Sequence, residues 1–421
     1  MATLTFPRRI AFNAPLSVRW YVYVSTLLGI FSQALYLWVG SAIFLFYFVM
    51  LSNLLLIWAF LRPLIFPRWL GWLLLCFLGS GVVGIFRGTD TLFLAAKQEF
   101  AIGLSLFYFT NFFRLQNNSI DESWQTYVKF AYWFTLIGLM IWPIQCWAAH
   151  DFERMHSLAS EPSEFSILTL PAYYWFAYQW LRMGKYRKEV LWMTVGVVAC
   201  GSSTGFIAVL FGIVLLFSKR LATVLIATVL VCGVGTLLYL FSAAVRLRAD
   251  DTIAAIGGGD VSGVNLSTYA LVSNMFVTEH VLEVHPILGN GLGSHSLSNR
   301  RYIEDVPGEE LVEAAGANAG ANVQDASSLA LRSLSEMGLV GFLGIFWFIR
   351  YFRVDGTGYR HAISSAILTV FFQKILRNGG YSSPEQCFFI IVYMLNSAQF
   401  RHEAIASTDV FSAGLPSGSV R

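Results

Sequence analysis

The chain has 421 residues, of which 56% are hydrophobic, 16% aromatic and only 13% charged, and it carries a formal charge of +3 at a mean hydropathy of +0.60. A soluble domain carries about 25% charged residues, so this composition excludes a water-soluble globular protein and implies an all-α, polytopic integral membrane protein. Cys76, Cys146, Cys200, Cys232 and Cys387 lie in apolar stretches without paired spacing and are read as packing residues.

Arg8, Arg9 and Arg19 precede an apolar run at 21–39, long enough to cross a bilayer at about 20 residues. No small-residue cleavage site follows, so this run is expected to remain as the first membrane helix. Further spans are expected at 42–61, 69–86, 91–113 and 127–149, with Arg62, Arg68 and Arg114 in alternate loops. The positive-inside rule places those loops in the cytoplasm. Residues 150–162 then fall outside, and a span at 163–181 returns to Arg182, Lys185, Arg187 and Lys188, the densest basic loop.

The stretch 190–217 is too short for two full spans, yet basic residues flank it and Gly201, Ser202, Ser203, Thr204 and Gly205 interrupt it. Two short helices meeting at that polar break preserve the charge alternation, and irregular backbone at membrane depth needs cover from protein or water. The alternative, one long helix with a flexible break, would put Arg350, Arg353, Arg360, Arg401 and His402 outside. A span at 221–242 leads into a hydrophilic segment, 243–327, and spans at 328–349, 361–376 and 385–400 follow. The reading is about twelve transmembrane helices: an N-terminal set (1–242), one large extracytoplasmic loop (243–327), a C-terminal set (328–400) and a flexible cytoplasmic tail (401–421), with both termini inside. No internal repeat is visible, which disfavours an inverted-repeat transporter.

Within the loop, Asn265 or Ser267 can cap a helix running to about Glu283, whose mixed faces suit the membrane surface. His285 and Pro286 end it, and Gly289, Gly291 and Gly293 follow at alternate positions. Such a backbone turns sharply and can approach a ligand closely; a bland tight turn is the competing reading.

The outer-loop cations are Arg87, Arg154, Arg246, Arg248, Arg300, Arg301 and Arg377, with no lysine among them. A guanidinium fork matches phosphate oxygens two at a time, so this face suits a phosphorylated ligand or, equally, lipid headgroups. Lys97 and Glu99, Arg332 and Glu336, and Lys374 lie a turn or two below that surface. Charges there cost about 2.5–3.5 kcal/mol each on insertion scales and therefore pair or line a cavity. Arg332 and Glu336, at i and i+4, can neutralise each other, whereas Lys374 has no partner evident in sequence. His150, His156, His280, His285 and His295 show no metal spacing, there is no His-Glu-x-x-His and no Walker loop, and a neutral imidazole could take a hydroxyl proton.

Three blocks resemble the membrane O-antigen ligase and O-antigen or exopolysaccharide polymerase superfamily. Arg154 is followed eight residues on by Pro162 at a helix start; Pro286 to Gly293 is similar to the family's Pro-Leu-Leu-Gly-x-Gly-x-Gly signature; Glu336 to Gly341 is similar to its Glu-x-Gly start of the next helix. The polar break at Ser202, Ser203 and Thr204, and the run from Leu376 to Tyr381, fit the same order. Where family ligases carry a His-Asn pair this chain has Ser327 and Ser328, which tilts the resemblance toward a polymerase.

What the resemblance implies is inverting, metal-independent glycosyl transfer, without a cofactor, on the outer face of the bacterial cytoplasmic membrane. An undecaprenyl-pyrophosphate-linked oligosaccharide would be the donor and a sugar hydroxyl of a second glycan the acceptor. Arg154, Arg300 and Arg377, helped by Lys374, would hold the pyrophosphate, Asp325, His295 or Glu161 would take the hydroxyl proton, and Pro286, Gly289, Gly291 and Gly293 would shape the floor between the substrates. Expected partners are the bilayer, chain-length regulators and export proteins, with no nucleic acid. A ligase passing finished glycan to a lipid or protein acceptor, and a transporter or flippase of lipid-linked glycan, remain the alternatives.

Overall fold

The computed structural model describes residues 15–38, 42–61, 63–150, 154–217, 243–258, 264, 266–308, 322–356 and 358–413, with isolated positions between 229 and 240. Its helices are α1 (Leu16–Phe31), α2 (Leu45–Phe60), α3 (Arg68–Arg87), α4 (Leu92–Leu115), α5 (Ile120–Ala149), α6 (Pro162–Met183), α7 (Arg187–Cys200), α8 (Ser203–Phe217), α9 (Ala243–Gly258), α10 (Leu266–Val284), α11 (His295–Tyr302), α12 (Leu329–Phe352), α13 (Tyr359–Leu376) and α14 (Pro384–Ala413). One antiparallel ribbon, β1 (Tyr36–Trp38) with β2 (Ala42–Phe44), joins α1 to α2. The expected ninth span at 221–242 lies largely outside the described residues, as do Arg8, Arg9, Arg62 and Asn265.

Among the described residues, α3, α4, α5 and α12 are long and apolar enough to cross a membrane, and α1, α2 and α8 are shorter apolar helices. Helices α6 and α13 are of spanning length but more polar, and their polar side chains are buried: Ser166, Thr169 and Gln179 on α6, and Ser364, Ser365, Thr369, Gln373 and Lys374 on α13. These two are inner helices, wrapped by protein, so they need fewer apolar residues than a lipid-facing helix such as α3, which exposes Trp72, Leu75, Leu78 and Phe86.

The first span differs from the expected 21–39. Helix α1 ends at Phe31 because Ser32 and Gln33 turn the chain out: Gln33 Nε2 donates to Glu385 Oε2 at 2.9 Å and Ala34 N to Leu158 O at 3.1 Å, which gives these polar groups partners outside a helix. At the other terminus α14 continues through residues 401–413, where a flexible tail was expected.

Two short helices do form within 190–217. Ala199 O accepts from Met155 N (3.1 Å), Ser202 Oγ accepts from Gly205 N (3.2 Å), and Tyr174 OH donates to Ala208 O (2.7 Å), so α7 climbs beside α6 and α8 descends along it. Glycines allow the close approach: a methyl at Gly212 would lie 2.2 Å from the Tyr174 ring.

Side-chain bonds sort the helix ends into two groups. At one end Arg360 bridges Asp121 (2.8 Å) and Glu403 (2.9 Å), Gln399 Nε2 reaches Asn118 O (2.7 Å), Gln116 Nε2 reaches Arg19 O (2.9 Å) and Arg401 Nη2 reaches Tyr351 O (2.9 Å). The loops rich in Arg and Lys gather there. The opposite end holds the C-terminal turns of α1, α3, α7 and α13 and the N-terminal turns of α4, α6, α8, α12 and α14.

Candidate functional site

At that second end the glycine turn and α12 are built together. Helix α12 breaks at Gly338 (φ 61°, ψ −158°), which frees carbonyls before the break and amides after it. The turn supplies four partners: Asn290 N to Ser335 O (2.9 Å), Gly291 N to Glu336 O (2.8 Å), Leu339 N to Pro286 O (2.9 Å) and Val340 N to Ile287 O (3.2 Å). Gly289, Gly291 and Gly293 all have positive φ, and a methyl on them would meet backbone at 2.7, 2.9 and 2.9 Å respectively. The backbone of α12, α3 and α4 therefore occupies the space beside these glycines, and the turn is a structural clamp rather than a substrate floor.

Just before the break, Arg332 is fully enclosed. Its Nε donates to Glu336 Oε1 (3.0 Å), Nη1 to Gly379 O (3.1 Å) and Nη2 to Gln98 Oε1 (2.9 Å), and its guanidinium carbon stands 4.5 Å from the centre of the Tyr381 ring. Gln98 Nε2 is buried and has no partner among the described residues, and the Tyr381 hydroxyl and Glu336 Oε2 lie buried beside each other. An unpaired group such as Gln98 Nε2 costs about 1–3 kcal/mol, so this corner keeps one free donor beside the Arg332–Glu336 pair.

Asp325 lies alongside. Its Oδ1 accepts from Ser327 N (3.1 Å), and Asn378 N donates to Ser327 O (2.7 Å), which fastens the loop after α13 to the start of α12. Burial pushes the Asp325 carboxyl up, while the Ser327 amide and the charges of Arg332, Arg377 and Lys374 pull it down. Arg377, at the exposed rim, donates to Ser267 O at 3.0 Å and so ties α13 to the first turn of α10.

Lys374 is completely buried, ion-paired with Glu385 and bonded to Asn378 Oδ1 (3.0 Å) and Ser383 Oγ (2.8 Å). Glu385, eleven residues later across the α13–α14 turn, is the partner that was not evident in sequence. Glu164, in the first turn of α6, completes the group: Ser160 Oγ donates to it, Asn378 Nδ2 approaches at 3.5 Å, and its side chain is half-buried and in no ion pair among the described residues. Sequence reading passed over Glu164 for its neighbour; the signal available was its place at the third position of a helix opened by Pro162.

The expected site residues thus divide. Asp325, Arg377 and Lys374 come together, and Arg154 lies against Gly201 at the α7–α8 turn, where Cys200 Sγ donates to Pro162 O at the start of α6. Lys374 is committed to Glu385, so it shapes the charge of the site and does not reach a ligand. Glu161 is exposed, and among the described residues its carboxylate accepts from Ser163 Oγ (3.1 Å) alone. Arg300 is exposed on the last turn of α11 and makes no hydrogen bond or ion pair among the described residues, so nothing draws it to the cluster.

His295 is the plainest correction. It is wholly buried between α10, α11 and α12, with Nδ1 2.8 Å from Ser335 Oγ and Nε2 2.8 Å from Asn274 Oδ1. Asn274 Nδ2 donates to Ala270 O (2.6 Å), which turns the amide oxygen toward the ring and makes Nε2 the donor. Burial, and then Arg332, push this imidazole down to about 3, so it stays neutral with both nitrogens occupied and serves as a core pin, not a base.

No family model and no curated protein matches the chain.

Proposed function

We propose that this chain is a polysaccharide polymerase that joins lipid-pyrophosphate-linked oligosaccharide repeat units by inverting glycosyl transfer. The observation that carries this reading is the convergence, at one end of a membrane-type helical bundle, of Glu164 and Asp325 with Arg377, the Lys374–Glu385 pair and Arg154 on the neighbouring turn. The opposite end collects the basic loops, which supports a cytoplasmic assignment for that end and an extracytoplasmic one for the site.

In the proposed reaction the acceptor hydroxyl oxygen bonds to the donor's anomeric carbon as that carbon's bond to the pyrophosphate oxygen breaks. The hydroxyl proton passes to a carboxylate, and the lipid pyrophosphate leaves with the electron pair on the opposite face of the sugar. Arg154 and Arg377 stabilise the charge that develops on it. Glu164 is the preferred proton acceptor, because it is half-buried and unpaired, whereas His295 is neutral and enclosed and Glu161 lies in the open. Asp325 orients the acceptor from the other side.

Two features favour a polymerase over the alternatives. Ser327 and Ser328, standing where ligases of the similar family carry His-Asn, give their hydroxyls to Ala270 O (2.8 Å) and Ile375 O (2.6 Å) and offer no base. A transporter drew support from buried charges and from the break at 201–205, but Arg332 and Lys374 are both ion-paired and the break is a hairpin turn. The test is to remove the protein, or to install Glu164→Gln, and to identify the lipid-linked glycan left in the cell. Single repeat units are expected; long lipid-linked chains would assign a ligase, and an unchanged polymer would defeat the proposal.

A further inference from the structure

A second group of cations lies away from the carboxylates. Arg87, the last residue of α3, donates from Nη1 to Gly289 O at 2.8 Å, and Gly289 N in turn bonds His285 O at 3.0 Å, so Arg87 and His285 share one turn. Arg301, on the last turn of α11, stacks on Tyr302 at 5.8 Å. Neither arginine pairs with a carboxylate among the described residues, unlike Arg332, Arg350, Arg353 and Arg360. The Tyr302 ring in turn lies 5.5 Å from that of His280 on α10, five residues before His285, which brings Arg301 to the same end of that helix; burial first, and then the charges of Arg87 and Arg301, push the His285 imidazole down.

The surface around them is apolar and open. Phe86 is 88% exposed, Phe93 72%, Leu92 71% and Ile287 62%, values that a water-facing surface would not tolerate side by side but a lipid-facing one requires. Unpaired guanidinium groups beside exposed aromatic and aliphatic side chains match the boundary between headgroups and acyl chains, where a cation's natural counter-ion is a lipid phosphate.

We propose that Arg87, His285 and Arg301 form a docking site for the phosphate of an anionic phospholipid of the surrounding leaflet, with Phe86, Phe93 and Ile287 against its acyl chains. The site is distinct from the glycosyl-transfer cluster: it shares no residue with it, and the Asp90 carboxylate, which lies against Gly291 of the same turn, is buried. It has a structural consequence, because Arg87 also holds Gly289, whose turn satisfies the broken backbone of α12. Occupancy by lipid therefore stiffens the turn and the break together.

The test uses the full chain, delipidated in neutral detergent, with its thermal unfolding midpoint followed as phosphatidylglycerol, phosphatidylcholine or inorganic phosphate is added. Phosphatidylglycerol is expected to raise the midpoint by about 5 °C more than phosphatidylcholine, and inorganic phosphate alone to leave it unchanged. Arg301→Gln spares the bond to Gly289 and must lose most of that difference, whereas Arg68→Gln at the opposite end must keep it. Equal shifts with both lipids, an equal shift with inorganic phosphate, or a full difference retained in Arg301→Gln would each overturn the proposal. Native mass spectrometry gives a second reading if Arg87→Gln fails to fold: the wild type should retain phosphatidylglycerol adducts that Arg301→Gln loses.

Discussion

Gly289 and Gly338 exclude each other's side chains: a methyl on either would lie 2.7 Å from the amide nitrogen of the other. Both residues also have left-handed backbone, φ 60° and 61°. Gly289→Ala and Gly338→Ala are each expected to destabilise the protein by about 2–4 kcal/mol, combining overpacking with backbone strain. Because the two share one contact, the double variant should lose less than the sum of the singles, by at least about 0.5 kcal/mol. Unfolding midpoints of the four proteins in one detergent check this, and simple additivity would show that the two segments are not coupled.

The Lys374–Glu385 pair makes an asymmetric prediction. Glu385→Gln leaves a buried ammonium without its counter-charge and should cost about 3–5 kcal/mol, whereas Lys374→Met with Glu385→Leu should restore most of that stability. The restored double variant should still polymerise poorly, since the charge balance around Glu164 and Asp325 is altered. Full polymer yield in a stable double variant would remove the pair from the functional site.

Arg154 and Arg377 are distinguished from general positive charge by their fork. Arg154→Lys and Arg377→Lys, made separately, should each lower polymer yield by roughly tenfold or more, because a lysine cannot bind two phosphate oxygens at once. Arg300→Lys should have little effect. Normal chain length and yield in both of the first two variants would refute the pyrophosphate assignment.

Two groups outside the spans set limits on stability against pH. Asp90, in the α3–α4 loop, is pushed up to about 7, first by burial, with Glu336 adding to the rise and the Thr91 amide opposing it. Its folded value lies above its ordinary 3.8, so its contribution is complete below that value and is lost as pH climbs toward and through about 7. His295 is pushed down to about 3 from 6.5, so its contribution is present above 6.5 and declines as pH falls toward 3. Asp90→Asn should flatten the alkaline limb only and His295→Gln the acid limb only, as measured by unfolding midpoints between pH 4 and 8.

Local chemistry that lies within a few residues was legible in the sequence. The Arg332–Glu336 pair follows from helical spacing, and the α7–α8 hairpin from basic residues on both sides of a polar break. What escaped was long-range. Glu385 meets Lys374 only because α13 and α14 turn back on each other, and His295 is buried only because α11 packs into α12, although its segment reads as a polar loop. The glycine turn was recognised as a close-approach backbone, but what approaches it is α12 and α3, a fact fixed by tertiary placement and not by the motif. The short first helix was hidden because the β1–β2 ribbon is as apolar as a membrane span.

The interrupted helix α12 also constrains how the protein is made. Its own sequence, Leu329 to Phe352, contains three glycines but no proline, and the partners of the backbone groups freed around Gly338 come from the 286–291 turn. The break is therefore stable only with the 286–291 turn docked against it, so the two segments are expected to become ordered together.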